Sequence, residues 1–534
     1  MADPKAAPHK TYVAHLEKGE LAYQWSPGAK RAVFFPRLVC PFTGSTDLEW
    51  RVASGLGTVY STTTVHAVDG GAYNVALIDC DEGFRLMSRV EGVAPDAVKI
   101  GMRVSFGVHR PGGDAEPVPV FVPLSAAASG MQQATTSVRS EPAARSRQST
   151  GTARRGSAAI VGVAESDLGQ VAEGLTPIDL MAQGITRALD DCGLGLRDVD
   201  GLFCATTQAR TSALSLSEYL GLDAPVIGST IVGGSSFEYH VAQAQQAIEA
   251  GLCNVAVIAY GSTQRSVGRR QASARETNPY ETPFKPFLPA SAYAMAARRH
   301  MHQYGTTREQ LAAVAVAARQ WAQLNPAAWD RKPLTIEDVL AARPISTPFT
   351  VRDCCLSTDG GGALVVTSAD RARSLKKPAA YVLGCGQSIT HAAISSMPDL
   401  TQTGAKRSAD IAYAMAGLGP KDIDVLALYD AFTINTILFL EDLGFCPKGE
   451  GGRFVEGGRI APGGGLAVNT NGGGLSYCHP GMYGIFLLIE AVRQIRGECG
   501  DRQVGGVETA LAHGNGGVFS SQATVILGSE ATLA

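Results

Sequence analysis

The sequence predicts an α/β protein in which a large duplicated region follows a small β-rich domain. Three observations carry this prediction: a polar linker at residues 125–156, short β-branched runs before it, and apolar strands alternating with helical stretches after it. The 534 residues leave room for about three domains. Because 45% of the residues are hydrophobic and 18% are charged, each domain has enough apolar material to bury a core.

The β-rich domain is predicted over residues 1–124. Runs of alternating or β-branched residues at 57–65, 73–78, 103–108 and 118–122 are separated by turn residues, a spacing typical of a small β-barrel or sandwich. Residues 125–156 are rich in Ser, Ala, Thr, Gln and Arg and hold almost no large apolar side chain, which predicts a flexible linker.

An internal repeat divides the region after the linker. Residues 158–163 predict a strand, and Thr176 is the expected N-cap of a helix over residues 177–191. The stretch GLGLRDVD at 193–200 is echoed by GLGPKDID at 417–424, each between a helical pattern and an apolar strand. Because the offset, 417 − 193 = 224, is too long for a solenoid unit, we predict two similar halves, each with its own sheet, at about 157–375 and 376–534.

Charge and cysteine content exclude several classes of protein. The 46 basic residues face 49 acidic ones, a formal net charge of -3, so nucleic acid and membrane are not expected partners. The chain has no run of about 18 apolar residues and residues 1–16 lack a signal-peptide core, so a cytoplasmic protein is expected. Its 11 scattered cysteines are expected to be reduced thiols.

Four short segments carry a family resemblance. They are NTNGGGLSYCHPGMYG at residues 469–484, YDAFT at 429–433, DGGGA at 359–363 and HGNGG at 513–517. Together they resemble motifs of the thiolases, most closely the sterol-carrier-protein-type thiolases and the lipid-transfer-protein-type aldolases. The resemblance covers residues 157–534 and implies a duplicated five-layer αβαβα fold, in agreement with the repeat.

The chain departs from thiolases at both of their cysteines. A thiolase carries its acyl-accepting cysteine at the start of a buried helix, and here Gly234 stands in that place. The segment 513–517 holds no acid/base cysteine. Ser235 and Cys478 remain alternative nucleophiles, although a serine before a helix is more often a cap and a buried thiol is more often inert.

The resemblance assigns candidate catalytic roles to four residues. His479 matches the family histidine that donates to the thioester oxygen as negative charge develops there; the alternative is a core histidine. Tyr429 stands where relatives carry Asn or His, and a phenol can exchange a proton with a substrate hydroxyl; the alternative is a buried anchor. Asp430 is expected to hold the loop, and Tyr483 to protonate carbon. Tyr293, on a predicted lid helix, is expected to be core.

Glycine-rich loops are expected to bind the substrate. No metal and no bound cofactor are expected, since CoA would enter as part of an acyl-CoA substrate. The residues assigned to that binding are Gly234, Ser235, Gly472, Gly473, Gly516 and Gly517.

The amino-terminal segment has a second resemblance. Residues 24–50, with FFPR at 34–37, resemble the zinc-ribbon and OB-fold proteins that accompany thiolase-like enzymes. Those relatives have two Cys-x-x-Cys pairs, which align here with Ser26, Ala29, Cys40 and Thr43. One thiol cannot form a tetrahedral zinc site, so the ribbon is predicted to fold without metal. The OB-like domain is predicted to dock a partner or position acyl-CoA, the alternative being a stabilising appendage.

These observations together predict a carbon–carbon lyase of lipid metabolism, with steroid degradation among its settings. The expected reaction is retro-aldol cleavage of a 3-hydroxyacyl-CoA into a ketone or aldehyde and a shortened acyl-CoA. Two alternatives stay open: a Claisen-type acyltransferase or thiolase with another nucleophile, and a non-catalytic acyl-CoA- or sterol-binding protein. The resemblance also implies a homodimer and makes a hydratase a candidate partner.

Overall fold

The computed structural model describes residues 7–113, 115–124, 153–268 and 277–534. Most of the predicted linker, residues 125–152, lies outside the described residues.

The amino-terminal domain is β-rich, as predicted. Helix α1 (Pro8–Glu17) precedes a three-stranded antiparallel sheet with β1 at its centre, and a second sheet has β4 paired with both β5 and β7. The predicted runs match β4, β5, β7 and β8. The strands of the domain are β1 (Ala22–Ser26), β2 (Arg31–Val33), β3 (Glu49–Val52), β4 (Leu56–His66), β5 (Ala72–Cys80), β6 (Arg85–Ser88), β7 (Arg103–His109) and β8 (Val118–Pro123).

The segment that resembles a zinc ribbon, residues 24–50, contains a hydrogen bond between two of the positions that align with zinc ligands. The buried Cys40 thiol donates to the Ser26 hydroxyl at 3.1 Å, and the Ala29 amide donates to the same hydroxyl at 3.2 Å. Three of the four positions that align with zinc ligands therefore meet through polar contacts. Among the described residues, no group of three or more His, Cys, Asp or Glu side chains is placed to hold a metal ion.

The strands of the α/β region form one hydrogen-bonded ten-stranded mixed sheet, which consists of two five-stranded halves, the first and the second sheet, with the same strand order. The first runs β11-β10-β12-β15-β9 and the second β18-β17-β19-β20-β16, which is third, second, fourth, fifth and first strand in both. The prediction of a separate sheet in each half is corrected at this point, because β9 and β16 pair through two residue pairs and make the two halves continuous. The strands are β9 (Ala158–Glu165), β10 (Gly201–Ala205), β11 (Val226–Gly228), β12 (Val255–Ser262), β13 (Pro344–Ser346), β14 (Phe349–Thr350), β15 (Gly360–Ser368), β16 (Ala380–Ile389), β17 (Val425–Leu428), β18 (Ala467–Val468), β19 (Thr509–Gly516) and β20 (Ser521–Gly528).

The helices complete five layers. Helices α4 and α13 pack on each other and on both sheets, while α2 packs on the outer face of the first sheet and α10 on that of the second. The predicted duplicated fold is thus confirmed. The helices after α1 are α2 (Pro177–Cys192), α3 (Ser212–Leu220), α4 (Ser236–Glu249), α5 (Gln264–Val267), α6 (Ala290–Tyr304), α7 (Arg308–Gln323), α8 (Ile336–Ala341), α9 (Ala369–Ala372), α10 (Ala405–Ala416), α11 (Thr433–Asp442), α12 (Gly451–Phe454) and α13 (Gly484–Arg496).

The sequence repeat marks equivalent turns in the two halves. Helices α2 and α10 end at Gly193 (φ 77°) and Gly417 (φ 66°), left-handed positions that favour glycine. An aspartate then caps each following turn: Asp198 accepts from the Gly195 amide at 3.0 Å, and Asp422 from the Gly419 amide at 2.8 Å. The turns lead into β10 and β17, the second strands of the two sheets.

The two regions are joined by backbone pairing and by a buried arginine. Strand β13 of the α/β region pairs with β4 of the amino-terminal domain. Arg85 forms an ion pair with Asp79 at 2.7 Å, lies over the Tyr60 ring, and donates to the carbonyls of Met397 and Pro398 across the junction. No helix in the described part of the chain is long and apolar enough to cross a membrane.

Candidate active site

Four segments converge at the amino-terminal end of α4. Tyr429 directly follows β17, His479 follows a π-helical turn over Gly473–Tyr477, and Tyr483 directly precedes α13. The glycines at the end of β19 lie against the loop before α4. The duplicated fold therefore brings the ends of elements from both halves to one buried point.

Tyr429, His479 and Tyr483 form a hydrogen-bonded cluster. The Tyr429 hydroxyl lies 3.1 Å from His479 Nε2 and accepts from the Tyr483 backbone amide at 3.2 Å. All three side chains are buried. The Tyr483 hydroxyl, however, donates to Asn471 Oδ1 at 3.0 Å, so its backbone rather than its phenol contacts Tyr429.

The Tyr429 ring occupies the space that a side chain at residue 234 would need. A β-carbon built on Gly234 would lie 2.1 Å from Tyr429 Cε2 and 2.5 Å from both Cζ and Oη. Unbonded carbon atoms approach to about 3.5–4.0 Å, so no residue larger than glycine fits beside this tyrosine. Glycine at 234 and tyrosine at 429 are therefore linked, because the phenol occupies the space that a cysteine side chain at 234 would need. We call this the steric exchange at Gly234.

Burial keeps the cluster uncharged at neutral pH. Burial lowers the pKa of His479 to about 4, so its imidazole is neutral and Nε2 can either accept or donate, depending on the tautomer. Burial, and after it the Cys355 thiol, hold the pKa of Tyr429 well above its usual range. The Tyr429 phenol is therefore protonated at neutral pH and can donate its proton. It can accept a proton from a substrate only if its own proton is transferred to another group at the same time.

Asp430 anchors the glycine loop beside the cluster. Its Oδ1 accepts from the Gly474 amide at 2.6 Å, while the buried Oδ2 has no hydrogen-bond partner among the described residues. Burial raises the pKa of Asp430 to about 7, against the lowering effect of the Gly474 amide. A β-carbon on Gly473 would lie 2.0 Å from Oδ2, so this glycine is required for the close approach of the carboxyl.

The other glycines make close backbone contacts. A β-carbon on Gly472 would lie 2.7 Å from the Ala322 side chain, and one on Gly516 would lie 1.8 Å from the Val232 carbonyl. Gly517 has a positive φ of 64° and is exposed. Gly516 thus lets the β19 loop approach the loop before α4, and Gly472 lies against α7; binding of acyl-CoA by these glycines stays a prediction.

The two alternative nucleophiles lack an activating partner. The Ser235 hydroxyl is paired with the Ser521 hydroxyl at 2.9 Å, which is not a base. The Cys478 thiol is buried, and burial together with Glu165 and Asp430 holds its pKa well above its usual range. Ser235 therefore lacks an adjacent base, and Cys478 lacks the lowered pKa of a nucleophilic thiol.

Three residues beside the site were not assigned to it from the sequence. Tyr293 donates to the Gly517 carbonyl at 2.9 Å and accepts from Asn515 at 2.8 Å, so it holds the β19 loop as well as filling the core. Cys355 lies close enough to Tyr429 to raise the pKa of that phenol. Glu238 lies in the first turn of α4, four residues after Gly234, a separation that is visible in the sequence.

Comparison with known proteins identifies both regions. Residues 386–529 match the family model "Thiolase C-terminal domain-like", and residues 50–121 match "ChsH2, C-terminal OB-fold domain". The chain is 37% identical over 391 residues to the 17-hydroxy-3-oxo-4-pregnene-20-carboxyl-CoA lyase of Mycobacterium tuberculosis, covering 68% of this chain and 98% of that protein. It belongs to the thiolase superfamily.

Within this superfamily, similar chains differ in the activity their names give. An acetyl-CoA acetyltransferase of Methanothermobacter thermautotrophicus is 34% identical over 378 residues, covering 69% of this chain and 98% of its own. The solved structure of an Ltp2-ChsH2(DUF35) aldolase superposes with a TM-score of 0.65 and 33% identity, covering 71% of this chain and 99% of its own. Because this thiolase-superfamily chain resembles lyase and transferase alike, the residues of the site must distinguish between them.

Proposed function

We propose that the protein is an acyl-CoA aldolase, which cleaves a 3-hydroxyacyl-CoA by a retro-aldol reaction. The observation that carries the proposal is the steric exchange at Gly234, where the Tyr429 phenol takes the place of an acyl-accepting thiol. A buried phenol that is hydrogen-bonded to a neutral imidazole can exchange a proton with a substrate hydroxyl, but it does not provide the activated nucleophile that covalent acyl transfer requires.

The proposed chemistry uses Tyr429 and His479 as one unit. Tyr429 receives the 3-hydroxyl proton while its own proton passes to His479 Nε2, 3.1 Å away. The bond between C2 and C3 breaks, C3 becomes a carbonyl, and the electron pair moves to the thioester oxygen as an enolate. The imidazolium so formed stabilises the enolate beside it, and protonation of C2 completes the reaction. The protonating role of Tyr483 stays a prediction.

The similar lyase supplies a test substrate. In 17-hydroxy-3-oxo-4-pregnene-20-carboxyl-CoA the hydroxyl stands on the β-carbon of the thioester, so cleavage yields a 17-ketone and propanoyl-CoA. We expect release of both products, followed by chromatography and mass spectrometry. Tyr429→Phe and His479→Ala should each slow cleavage by about 100-fold or more. Tyr413→Phe, whose hydroxyl donates to the distant Leu443 carbonyl, is the matched control.

The same preparation separates the alternatives. An acyltransferase with a nucleophilic Ser235 or Cys478 would gain the mass of an acyl group when incubated with acyl-CoA, and we expect no such adduct. Binding of the CoA ester without release of ketone would favour a non-catalytic protein. Rates for Tyr429→Phe and His479→Ala within about threefold of the wild type would contradict the assignment.

We propose further that the protein is a homodimer and that its amino-terminal domain positions substrate or docks a hydratase. Strand β11 is an edge of the first sheet, and Ile227 on it and Ile231 after it are about half exposed, an arrangement that favours association.

A largely apolar cavity of about 470 Å³ lies between α1, β6 and the segment 279–285, with Arg89 and Lys285 among its lining residues. Light scattering tests the dimer, and removal of charge at Arg89 and Lys285 tests a CoA contact through KM.

A further inference from the structure

Glu238 is a buried acid that the chemistry above does not use. It lies in the first turn of α4, is 1% exposed, and neither carboxyl oxygen has a hydrogen-bond partner in the described part of the chain. Leaving a buried polar group without a partner costs stability, and leucine would fill a similar volume without a polar group to bury. The position is therefore poorly explained by stability.

Glycines clear the space around this carboxyl. A β-carbon on Gly484 would lie 2.5 Å from one Glu238 carboxyl oxygen and 2.8 Å from the other, and one on Gly514 would lie 2.3 Å from the nearer oxygen. Gly484 and Gly514 come from α13 and β19, so two elements give up a side chain at the same point. Gly514 also belongs to the 513–517 segment, which lacks the thiolase acid/base cysteine.

The carboxyl lies beside the backbone that meets the cluster, since a β-carbon on Gly484 would contact both the Gly234 carbonyl and the Glu238 carboxyl. Glu238 is four residues beyond Gly234, and side chains on a helix lean toward its amino-terminal end, which here is the end that meets Tyr429. The neighbouring Gly484 donates its amide to the Gly234 carbonyl, and the residue before it, Tyr483, donates its amide to the Tyr429 hydroxyl. Glu238 is thus separated from the cluster only by the backbone of Gly484 and Tyr483.

We propose that Glu238 is a further catalytic acid, whose carboxyl proton is transferred to C2 of the enolate. This rests on the proposed aldolase function. The O–H bond of the carboxyl breaks as the C2–H bond forms, the enolate electrons return to C2, and the thioester carbonyl is restored. The carboxylate regains a proton as the substrate hydroxyl proton leaves the Tyr429 and His479 pair, so the cycle neither gains nor loses protons.

The protonation state and the surroundings of the site agree with this role. Burial raises the pKa of Glu238 to about 8, which keeps the carboxyl protonated at neutral pH. The Tyr483 hydroxyl is engaged by Asn471 and is less well placed to act as the acid.

Solvent exchange separates protonation of C2 from cleavage. Propanoyl-CoA is incubated with the protein in D₂O and deuterium at C2 is followed by mass spectrometry, while cleavage of the pregnene CoA ester is measured in parallel. We expect Glu238→Gln to lose both exchange and cleavage by about 100-fold, with an unchanged or raised Tm. Tyr429→Phe should lose cleavage and keep exchange. Glu218→Gln, at an exposed site on α3, should change neither.

Each outcome decides one of the two proposals. Cleavage by Glu238→Gln within about threefold of the wild type overturns the role of Glu238 and leaves the aldolase function standing. A wild type with no cleavage and no exchange overturns the aldolase function. If Glu238→Gln loses its cooperative melting transition, Glu238→Asp becomes the deciding variant, because it keeps an acid and should retain measurable exchange.

Discussion

Substitution of Gly234 is expected to abolish activity by displacing Tyr429. In Gly234→Ala the new methyl group would lie 2.1 Å from Tyr429 Cε2, so the ring must retreat by more than about 1 Å to reach ordinary contact. The hydroxyl would then lose its 3.1 Å contact with His479 and the 3.2 Å bond from the Tyr483 amide. We expect about 100-fold or greater loss of cleavage and about 1–3 kcal/mol of destabilisation from overpacking.

The assay combines kinetics with a double-mutant cycle. Gly505→Ala is the control, since a β-carbon at Gly505 meets no atom within 4 Å. Tyr429→Ala should relieve most of the cost of Gly234→Ala in denaturant unfolding, because the two groups compete for one volume. For the same reason Gly234→Cys alone should not create a thiolase. Wild-type cleavage and stability in Gly234→Ala would refute the reasoning.

Three further predictions follow from other parts of the structure. Burial raises the pKa of Glu238 from 4.5 to about 8, so the folded state binds this proton more tightly than the unfolded state, and the free energy of unfolding falls as the pH rises from 4.5 to 8. The loss is about 4 kcal/mol at pH 8. Glu238→Gln should remove this pH dependence, as measured by urea unfolding. Arg85→Leu should destabilise the protein by about 2–4 kcal/mol in calorimetry, because it leaves Asp79 and two carbonyls at the domain junction without their partner. Metal analysis should find no zinc, and one tightly bound equivalent lost in Cys40→Ala would contradict the hydrogen-bonded ribbon.

The sequence determined the features that depend on local chemistry. Gly193 and Gly417 each end a helix with a positive φ, and an aspartate caps the turn after each, so the duplication was readable from eight-residue segments. The sequence also determined which expected cysteines are absent. The lack of a cysteine at 234 and of three of the four ribbon thiols follows from the sequence alone.

Only the tertiary structure decided which groups meet. Gly234 and Tyr429 lie in different halves of the chain, and their competition for one volume becomes visible only when α4 and β17 pack together. The orientation of Tyr483 is decided by Asn471, and the isolation of the Glu238 carboxyl by glycines on α13 and β19. Local patterns fix turns, caps and strands because their interactions span a few residues, whereas a catalytic arrangement depends on distances between segments that the sequence places far apart.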